Sequence, residues 1–230
     1  MSHETIAALF DRWAESGRGE GMEAGHGDVV RQVIARMEFR PGDQTLDLGC
    51  GTGWATRLLA NAAPGSSAVG VDVSPAMIAR AEAQHDFTYR ARYEVGRFEA
   101  LDFPDGKFQK AFSMEALYYA VDLGRALGEL LRVLEPGGTA DVIIDRFAES
   151  PHTESWSEQV GLAMHFFSEA EWRERFERAG FERVQSERVI DSRGPGNEEC
   201  FQAGPHTPTW QTALELHAAG SLWIHAEKPA

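Results

Sequence analysis

Residues 46–53, Leu-Asp-Leu-Gly-Cys-Gly-Thr-Gly, constrain the fold of this 230-residue chain more than any other segment. An apolar run that ends at Leu48 leads into glycines at positions 49, 51 and 53, and a helical pattern follows over residues 54–62. This order predicts a strand, a glycine turn and a helix. Glycine accepts positive φ and lets a ligand approach the backbone, and a helix N-terminus offers unpaired N–H groups. The segment is therefore predicted to be a ligand-binding loop.

The spacing of the glycines argues against a dinucleotide ligand. The nicotinamide-dinucleotide fingerprint is G-x-G-x-x-G/A after a strand, with the pyrophosphate at the helix N-terminus. Counted from Gly49 the third position is Trp54, and counted from Gly51 it is Thr56. Neither position holds Gly or Ala, so a nicotinamide-dependent oxidoreductase is the disfavoured alternative.

Two carboxylates in this part of the chain indicate a different ligand. Asp47 lies two residues before the first glycine, where its charge would repel a pyrophosphate and attract an ammonium group. Asp72 ends a second apolar run, residues 68–72, where its side chain can accept hydrogen bonds from both hydroxyls of a ribose. A ribonucleoside that carries an amine and no phosphate suits both acids, and S-adenosylmethionine is such a ligand.

Composition limits the classes of function. The net charge is −14, whereas nucleic-acid binders need a basic face for the phosphates, so no nucleic-acid partner is expected. The two cysteines, Cys50 and Cys200, fit no zinc or disulfide pattern, and no metal site is expected. No apolar run is long enough to span a membrane, and no signal-peptide pattern is visible. We therefore expect a cytoplasmic protein.

Short apolar runs alternate with helical patterns, which predicts an α/β fold with a parallel sheet built from βαβ units. Seven strands are predicted, at residues 44–49, 67–73, 90–95, 108–114, 139–146, 182–190 and 222–227. Two helices, at residues 4–16 and 26–38, precede the first strand, with a glycine-rich hinge at residues 16–21. Residues 148–167 are predicted to form an irregular insert.

Four motifs resemble, in order and at family spacing, those of class I S-adenosylmethionine-dependent methyltransferases. They are Leu46–Gly53, Gly70–Met77, Gly96–Phe108 and Glu129–Gly138. The chain looks most similar to the small-molecule branch that includes the ubiquinone/menaquinone-biosynthesis C-methyltransferases. The resemblance implies a doubly wound, mostly parallel seven-stranded sheet with helices on both faces and an antiparallel last strand beside strand five. It also implies S-adenosyl-L-methionine as the cofactor.

The resemblance further implies which residues bind that cofactor. Asp47 would meet its amino group, Asp72 its ribose hydroxyls, and Met77 lies where the family packs an apolar side chain on adenine. The complete predicted set is Asp47, Gly49, Gly51, Gly53, Asp72, Val73, Met77, Phe98 and Ser113. Many relatives carry an acid after strand three that bonds the adenine amine, but Arg97 stands in its place and cannot accept a hydrogen bond. Adenine recognition would then rest on the backbone near Phe98 and on stacking.

The acceptor side follows from the position of strand four. Ligands bind beyond the carboxyl ends of strands in α/β sheets, so Glu115, which follows strand four, is the candidate catalytic base. The predicted substrate-binding residues are Trp13, His26, Tyr118, Tyr119 and His165. Aromatic side chains of the insert, Trp156, Phe166 and Phe167, are expected to help wall an apolar acceptor cavity.

We expect one domain over residues 1–230. Its predicted parts are a helical N-terminal lid (1–40), a cofactor-binding core (41–147), the insert over the acceptor site (148–167) and the C-terminal part of the sheet (168–230). The predicted function is in-line methyl transfer to a small-molecule substrate. A non-catalytic cofactor binder is the main alternative, and a nucleic-acid or protein methyltransferase is a further one. The acceptor atom and the oligomeric state stay open at this point.

Overall fold

The computed structural model describes residues 2–230. The helices are α1 (His3–Glu15), α2 (Gly21–Ile34), α3 (Trp54–Ala60), α4 (Pro75–Ala83), α5 (Leu123–Val133), α6 (Trp156–Val160), α7 (Glu169–Ala179) and α8 (Trp210–Ala219). The strands are β1 (Gln44–Leu48), β2 (Ser67–Asp72), β3 (Ala91–Val95), β4 (Phe108–Met114), β5 (Leu134–Ile144), β6 (Glu182–Val189) and β7 (Ser221–Glu227). No helix within residues 2–230 has the length and apolarity needed to cross a membrane. Residue 1, the first position of the predicted lid, lies outside the described residues.

The strands form one sheet in the order β3-β2-β1-β4-β5-β7-β6. Strands β1 to β5 pair in parallel, and β7 runs antiparallel between β5 and β6. The predicted seven-stranded, mostly parallel sheet with an antiparallel last strand beside β5 is therefore confirmed. The winding direction reverses between β1 and β4, and ligands of such sheets bind in the crevice at the carboxyl ends of these strands.

Apolar side chains cover both faces of the sheet, as a doubly wound fold requires. On one face Leu9 of α1, Leu127 of α5 and Phe176 of α7 share a buried cluster with the sheet. On the other face Val30 of α2 and Leu59 of α3 belong to a second cluster. This arrangement packs α1 and α2, which precede β1 in the sequence, against the same sheet that carries the cofactor motifs.

Capping residues explain where two of the helices begin. The Ser74 hydroxyl accepts the Met77 N–H at 3.1 Å ahead of Pro75, the first residue of α4. Ser168 and Glu171 form the capping box of α7 that the sequence predicts. The cap of α4 matters for the site, because it fixes the chain directly after the end of β2.

The segment before β1 differs from its predicted form. Helix α2 covers Gly21–Ile34 rather than residues 26–38, so Gly21, Gly25 and Gly27 all lie within a helix. Glycine lowers helix propensity by about 1 kcal/mol per residue, but the fully buried Val30 and Val33 give α2 a packed face that outweighs this cost. The predicted hinge is reduced to a left-handed Gly17, with φ of +75°, and a short 3₁₀ turn.

The insert at residues 148–167 is less irregular than predicted, since it contains the short helix α6. The buried Arg146 guanidinium donates to the carbonyls of Glu154 and His165 at 2.8 Å and of Met164 at 3.3 Å. These bonds anchor the insert to the chain that leaves β5 and place it beside the carboxyl edge of the sheet.

Candidate active site

A cavity of about 460 Å³ lies over the carboxyl ends of β2, β1, β4 and β5. Six acids line it. Four of them lie within or directly after the end of one of these strands, in that order: Asp72, Asp47, Glu115 and Asp145; Glu99 and Asp191 are the others. Side chains from α1, α2 and the insert form the remaining walls. The volume lies in the range of small-ligand sites. One half of the cavity lies over β1 and β2, and the other half lies over β4 and β5.

The glycine turn after β1 brings the backbone to the cavity. Gly49 has a φ of +78°, and a Cβ built on it would lie 2.2 Å from the Cβ of Ala116. Gly51 has a φ of +51°, and a Cβ there would project into open space. Only glycine fits the first position, and the second leaves room for a ligand against the main chain.

Asp47 and Asp72 are both buried beside this turn. The Thr56 hydroxyl donates to Asp47 at 2.6 Å, and the N–H groups of Gly51 and Ser74 donate to the two oxygens of Asp72, each at 2.9 Å. Burial raises the pKa of Asp47 to about 7 and the pKa of Asp72 to about 6. The structure pairs neither acid with a basic side chain in the part of the chain it describes, so a bound cation would stabilise their charged forms.

Apolar side chains extend this half of the cavity. Val73, Met77 and Phe98 line it between α4 and the chain that follows β3. Arg97 also lines the cavity, and its guanidinium lies 3.5 Å from the carboxylate of Glu4 in α1. Arg97 therefore contacts the N-terminal helix, while Phe98 supplies the apolar surface of the cavity.

Glu115 occupies the end of β4 with a strained backbone, at a φ of +51°. One of its oxygens accepts the N–H of Asp145, and the other accepts the Tyr118 hydroxyl at 2.6 Å. Burial, and then the charge of Asp145, raises the pKa of Glu115 to about 8. Both oxygens thus have protein partners, and Glu115 joins the ends of β4 and β5. A catalytic role for it stays a prediction.

Asp145 is a residue of the cavity that the sequence reasoning missed. It lies directly after β5, and its Oδ2 is 3.3 Å from Nδ1 of His26 in α2. Burial opposes charge on Asp145, but the hydrogen bond and the charge of His26 outweigh it and lower the pKa of this carboxyl. The rule that ligands bind beyond strand ends does not reach this residue from the sequence, because the predicted strand five continues to residue 146 whereas β5 ends at Ile144.

Aromatic side chains wall the half over β4 and β5. Phe10 lies edge-on to Trp13 and to Tyr119, with ring centroids 5.1 Å apart in both pairs. The Arg18 guanidinium lies 4.1 Å from the centroid of the Trp13 ring. Trp156 of the insert also lines the cavity, in contact with the ring of His206. Four of the predicted substrate-binding residues, Trp13, His26, Tyr118 and Tyr119, therefore line the same cavity.

Three predicted site residues do not line the cavity. Gly53 has a φ of +76° and packs on the Tyr93 ring, and the Ser113 hydroxyl donates to the Leu48 carbonyl at 2.9 Å. The His165 imidazole donates to the Ala120 carbonyl at 3.0 Å and so connects the insert to the chain after β4. These residues support the walls from behind. The expected insert aromatics Phe166 and Phe167 are likewise absent from the cavity lining, while Trp156 is present.

Comparison with known proteins identifies the family. Residues 45–138 match the family described as "Methyltransferase domain". Over 140 residues the chain is 35% identical to the demethylmenaquinone methyltransferase of Symbiobacterium thermophilum, a match covering 58% of this chain and 56% of that protein. A chain solved in complex with the Trm112 methyltransferase activator of Haloferax volcanii is 33% identical, with a TM-score of 0.87, over 96% of this chain and 98% of that one. This chain belongs to the S-adenosylmethionine-dependent methyltransferases.

The fold of the chain agrees with this assignment. An S-adenosylmethionine-dependent methyltransferase structure from Thermotoga maritima has a TM-score of 0.70 at 20% identity, over 97% of this chain and 99% of that one, and shows the shared fold. The family resemblance inferred from the four motifs is confirmed. The chain spans about half the length of the curated relatives it matches.

The cavity of the methyltransferase fits S-adenosylmethionine, the cofactor of this family. Asp47 offers a carboxylate with no basic partner among the described residues for the ammonium group, and each oxygen of Asp72 keeps a lone pair for a ribose hydroxyl. The open space at Gly51 admits the ligand against the backbone, and Met77 with Phe98 offers an apolar surface for the adenine. Residues 2–230 contain no group of three or more His, Cys, Asp or Glu that could hold a metal ion.

Proposed function

We propose that this methyltransferase transfers a methyl group from S-adenosylmethionine to a small molecule bound over the ends of β4 and β5. The observation that carries the proposal is one continuous cavity that reaches from Asp47 and Asp72 to Tyr118, Tyr119 and Trp156. A non-catalytic binder has no need of such a space beside its cofactor. A cavity of about 460 Å³ suits a small ligand, and a net charge of −14 disfavours a nucleic-acid acceptor.

The bound cofactor supplies an electrophilic methyl group on a sulfonium. The residues of the chain align the acceptor and exclude water. We assign the exclusion of water to the predicted lid at residues 1–40 and to the insert at residues 148–167 as a cover over the acceptor. The core at 41–147 and the C-terminal part of the sheet at 168–230 are the other two parts of the proposed domain. Trp13 and Trp156 bring these two segments to the same half of the cavity.

Methyl transfer with an isotope-labelled donor over metabolite extracts tests this function. We expect label in a small-molecule product with the wild type and a strongly reduced yield with Asp72→Ala. Asp86→Ala changes an exposed acid outside the cavity and should keep the wild-type yield. Label found only in protein or RNA, or no transfer at all, contradicts the proposal.

A protein partner and a cytoplasmic location are further parts of the proposal. The Haloferax volcanii relative was solved with an activator protein, so we propose that an activator of that type binds this methyltransferase. The free thiols of Cys50 and Cys200 suit a reducing compartment. Co-expression with a Trm112-type protein should give a complex of both chains in size-exclusion chromatography. Separate elution with unchanged solubility contradicts the partner proposal.

A further inference from the structure

His26 and Asp145 form a pair in the acceptor half of the cavity. His26 comes from α2 and Asp145 from the end of β5, with Nδ1 and Oδ2 3.3 Å apart, and both side chains line the cavity. Among the described residues the structure gives Nε2 of His26 no protein partner. Since Nδ1 faces a carboxylate, the neutral ring carries its proton on Nδ1 and keeps the Nε2 lone pair free.

Three other titratable groups on this side are already engaged. Glu115 accepts hydrogen bonds at both oxygens, from the Asp145 N–H and from Tyr118. The Tyr118 hydroxyl donates a hydrogen bond to Glu115, and burial raises the pKa of Tyr118 well above the ordinary value. His165 donates to a carbonyl and does not line the cavity. Of the candidate bases at the ends of β4 and β5, Nε2 of His26 is thus the atom left without a protein partner. His206 and His217 also line the cavity, and Nε2 of His206 faces the Arg18 guanidinium at 3.2 Å.

We propose that His26 is the general base that removes a proton from the acceptor, with Asp145 as its positioning residue. The inference rests on the proposed function and narrows its substrate class to small molecules with an ionisable hydroxyl, such as a phenol or an enol. A neutral amine attacks without losing a proton first, whereas a hydroxyl is a poor nucleophile until its proton leaves. The aromatic wall of Phe10, Trp13 and Tyr119 suits a planar acceptor of this kind.

The proton transfer balances with methyl transfer. The hydroxyl proton moves to Nε2 of His26, the acceptor's electron pair forms the new bond to the methyl carbon, and the electron pair of the broken C–S bond goes to sulfur. A cationic donor and neutral His26 thus become a neutral thioether and an imidazolium. Asp145 stabilises that imidazolium, which then releases its proton to solvent.

The groups around His26 support this role. Burial opposes the imidazolium, but the hydrogen bond to Asp145 and the charges of Asp145 and Glu115 outweigh it, so the pKa of His26 is raised. Arg193, in the chain after β6, acts in the opposite direction. His26 therefore becomes neutral, and able to accept a proton, only above its raised pKa. Asp145 stabilises its protonated form, and Glu115 adds to this only where its own carboxyl is ionised.

The test combines the pH dependence of methyl transfer with histidine NMR on the full chain. Transfer to the acceptor found by the labelled-donor screen is measured from pH 5.5 to 9 for the wild type, His26→Asn and Asp145→Asn. Side-chain ¹⁵N spectra give the tautomer and pKa of His26 in the presence of S-adenosylhomocysteine. Glu215→Gln is the matched control, because it removes the carboxylate partner of His152 at the surface, away from the cavity.

We expect the wild-type rate to rise with pH along a limb of the pH–rate profile whose midpoint is the pKa of His26. We also expect neutral His26 to be the Nδ1–H tautomer. His26→Asn should lower kcat by about 100-fold or more and remove the limb. Asp145→Asn should lower the pKa of His26 and move the limb to lower pH. His225, 2.8 Å from Asp141 and outside the cavity, should titrate unchanged as an internal reference. Glu215→Gln should leave all of these readouts unchanged.

The experiment separates failure of the His26 proposal from failure of the proposed function. If His26→Asn keeps the wild-type limb and rate on a confirmed acceptor, the inference is wrong and the proposed function stands. If Asp145→Asn lowers the rate at all pH values without moving the limb or the pKa of His26, Asp145 has only a structural role and the positioning proposal is wrong. If the screen finds no small-molecule acceptor, the proposed function fails and this inference fails with it.

Discussion

At the scale of single residues, the cofactor half of the cavity is governed by two buried acids without a cation. Asp47 and Asp72 have pKa values raised to about 7 and about 6 by burial. Hydrogen bonds fix the orientation of each acid: the Thr56 hydroxyl donates to Asp47, and two backbone N–H groups donate to Asp72. The two carboxyl groups are thus oriented to bind a ligand that carries an ammonium group and two hydroxyls.

Asp72→Ala should weaken S-adenosylhomocysteine binding by about one to two decades. Losing a charge-assisted hydrogen bond to a ribose hydroxyl costs about 1.5–3 kcal/mol, and about 1.4 kcal/mol corresponds to a factor of ten. Titration calorimetry gives the affinity, and a thermal melt checks folding. Asp86→Ala serves as the control with unchanged affinity. Equal affinity for wild type and Asp72→Ala would mean that the ribose assignment is wrong.

Cofactor affinity should also depend on pH through Asp47. The ammonium group binds the charged carboxylate, and in the free protein this acid is protonated below about pH 7. Affinity should therefore be constant above pH 8 and fall by up to about tenfold per pH unit below 7. Asp47→Asn should bind weakly at every pH and lose most of this dependence. A wild-type affinity that is independent of pH between 5.5 and 8 would refute the pairing.

The sequence predicts these two acids and the glycine turn because local order is enough to place them: each follows an apolar run at a strand end. It does not predict how Asp145 and Arg146 act, because their partners lie in α2 and in the insert, far away in the chain. Gly53, Ser113 and His165 show the opposite case, since the sequence predicts them in the site but their atoms contact other parts of the protein.

At the scale of elements, helix α1 is tied to the start of α4. The Asp11 carboxylate accepts the Ser74 hydroxyl at 2.5 Å and the Ala76 N–H at 3.1 Å. Ser74 also donates its N–H to Asp72, so the contact between the two helices is continuous with the predicted ribose acid. A second tie joins His3 to Glu99 at 2.8 Å.

Asp11→Ala should loosen α1 without unfolding the sheet. The substitution removes two hydrogen bonds to a charged group, with a cost of about 1–3 kcal/mol. We expect faster hydrogen exchange over residues 3–15 and faster release of S-adenosylhomocysteine. Glu15→Ala, an exposed acid on the same helix, is the matched control. Wild-type exchange and release rates in Asp11→Ala would show that α1 does not cover the site through this contact.

The elements also show where prediction from sequence stops. The strands follow from short apolar runs, and α7 follows from its capping box and from Gly180. The start of α2 does not follow from the sequence. Gly21 and Gly25 predict a loop there, but the burial of Val30 and Val33 stabilises a helix. Tertiary packing outweighs local propensity there.

At the scale of the whole molecule, the acids gathered at one sheet edge affect stability. The folded-state pKa of Glu115 is about 8, above its ordinary value of 4.5, because of burial and the charge of Asp145. Between these two values the folded protein holds a proton that the unfolded chain has released. Its contribution to the free energy of unfolding therefore falls as pH rises through this window, by at most about 1.4 kcal/mol per pH unit.

Glu115→Gln should make the stability of the ligand-free protein less dependent on pH between 5 and 8. Urea unfolding at several pH values measures the slope for the wild type and the variant, and the difference isolates the Glu115 contribution. Glu215→Gln, whose carboxylate lies at the surface, is the control and should keep the wild-type slope. Parallel curves for wild type and Glu115→Gln would contradict the raised pKa.

The central claim is that this sheet edge binds S-adenosylmethionine between Asp47 and Asp72. Titration calorimetry of the wild-type protein with S-adenosylmethionine, S-adenosylhomocysteine and NAD tests it most directly. We predict saturable binding of the first two ligands at pH 8 and none of NAD, because the glycine spacing and the charge of Asp47 oppose a pyrophosphate. Tight NAD binding with no response to S-adenosylmethionine would contradict the account.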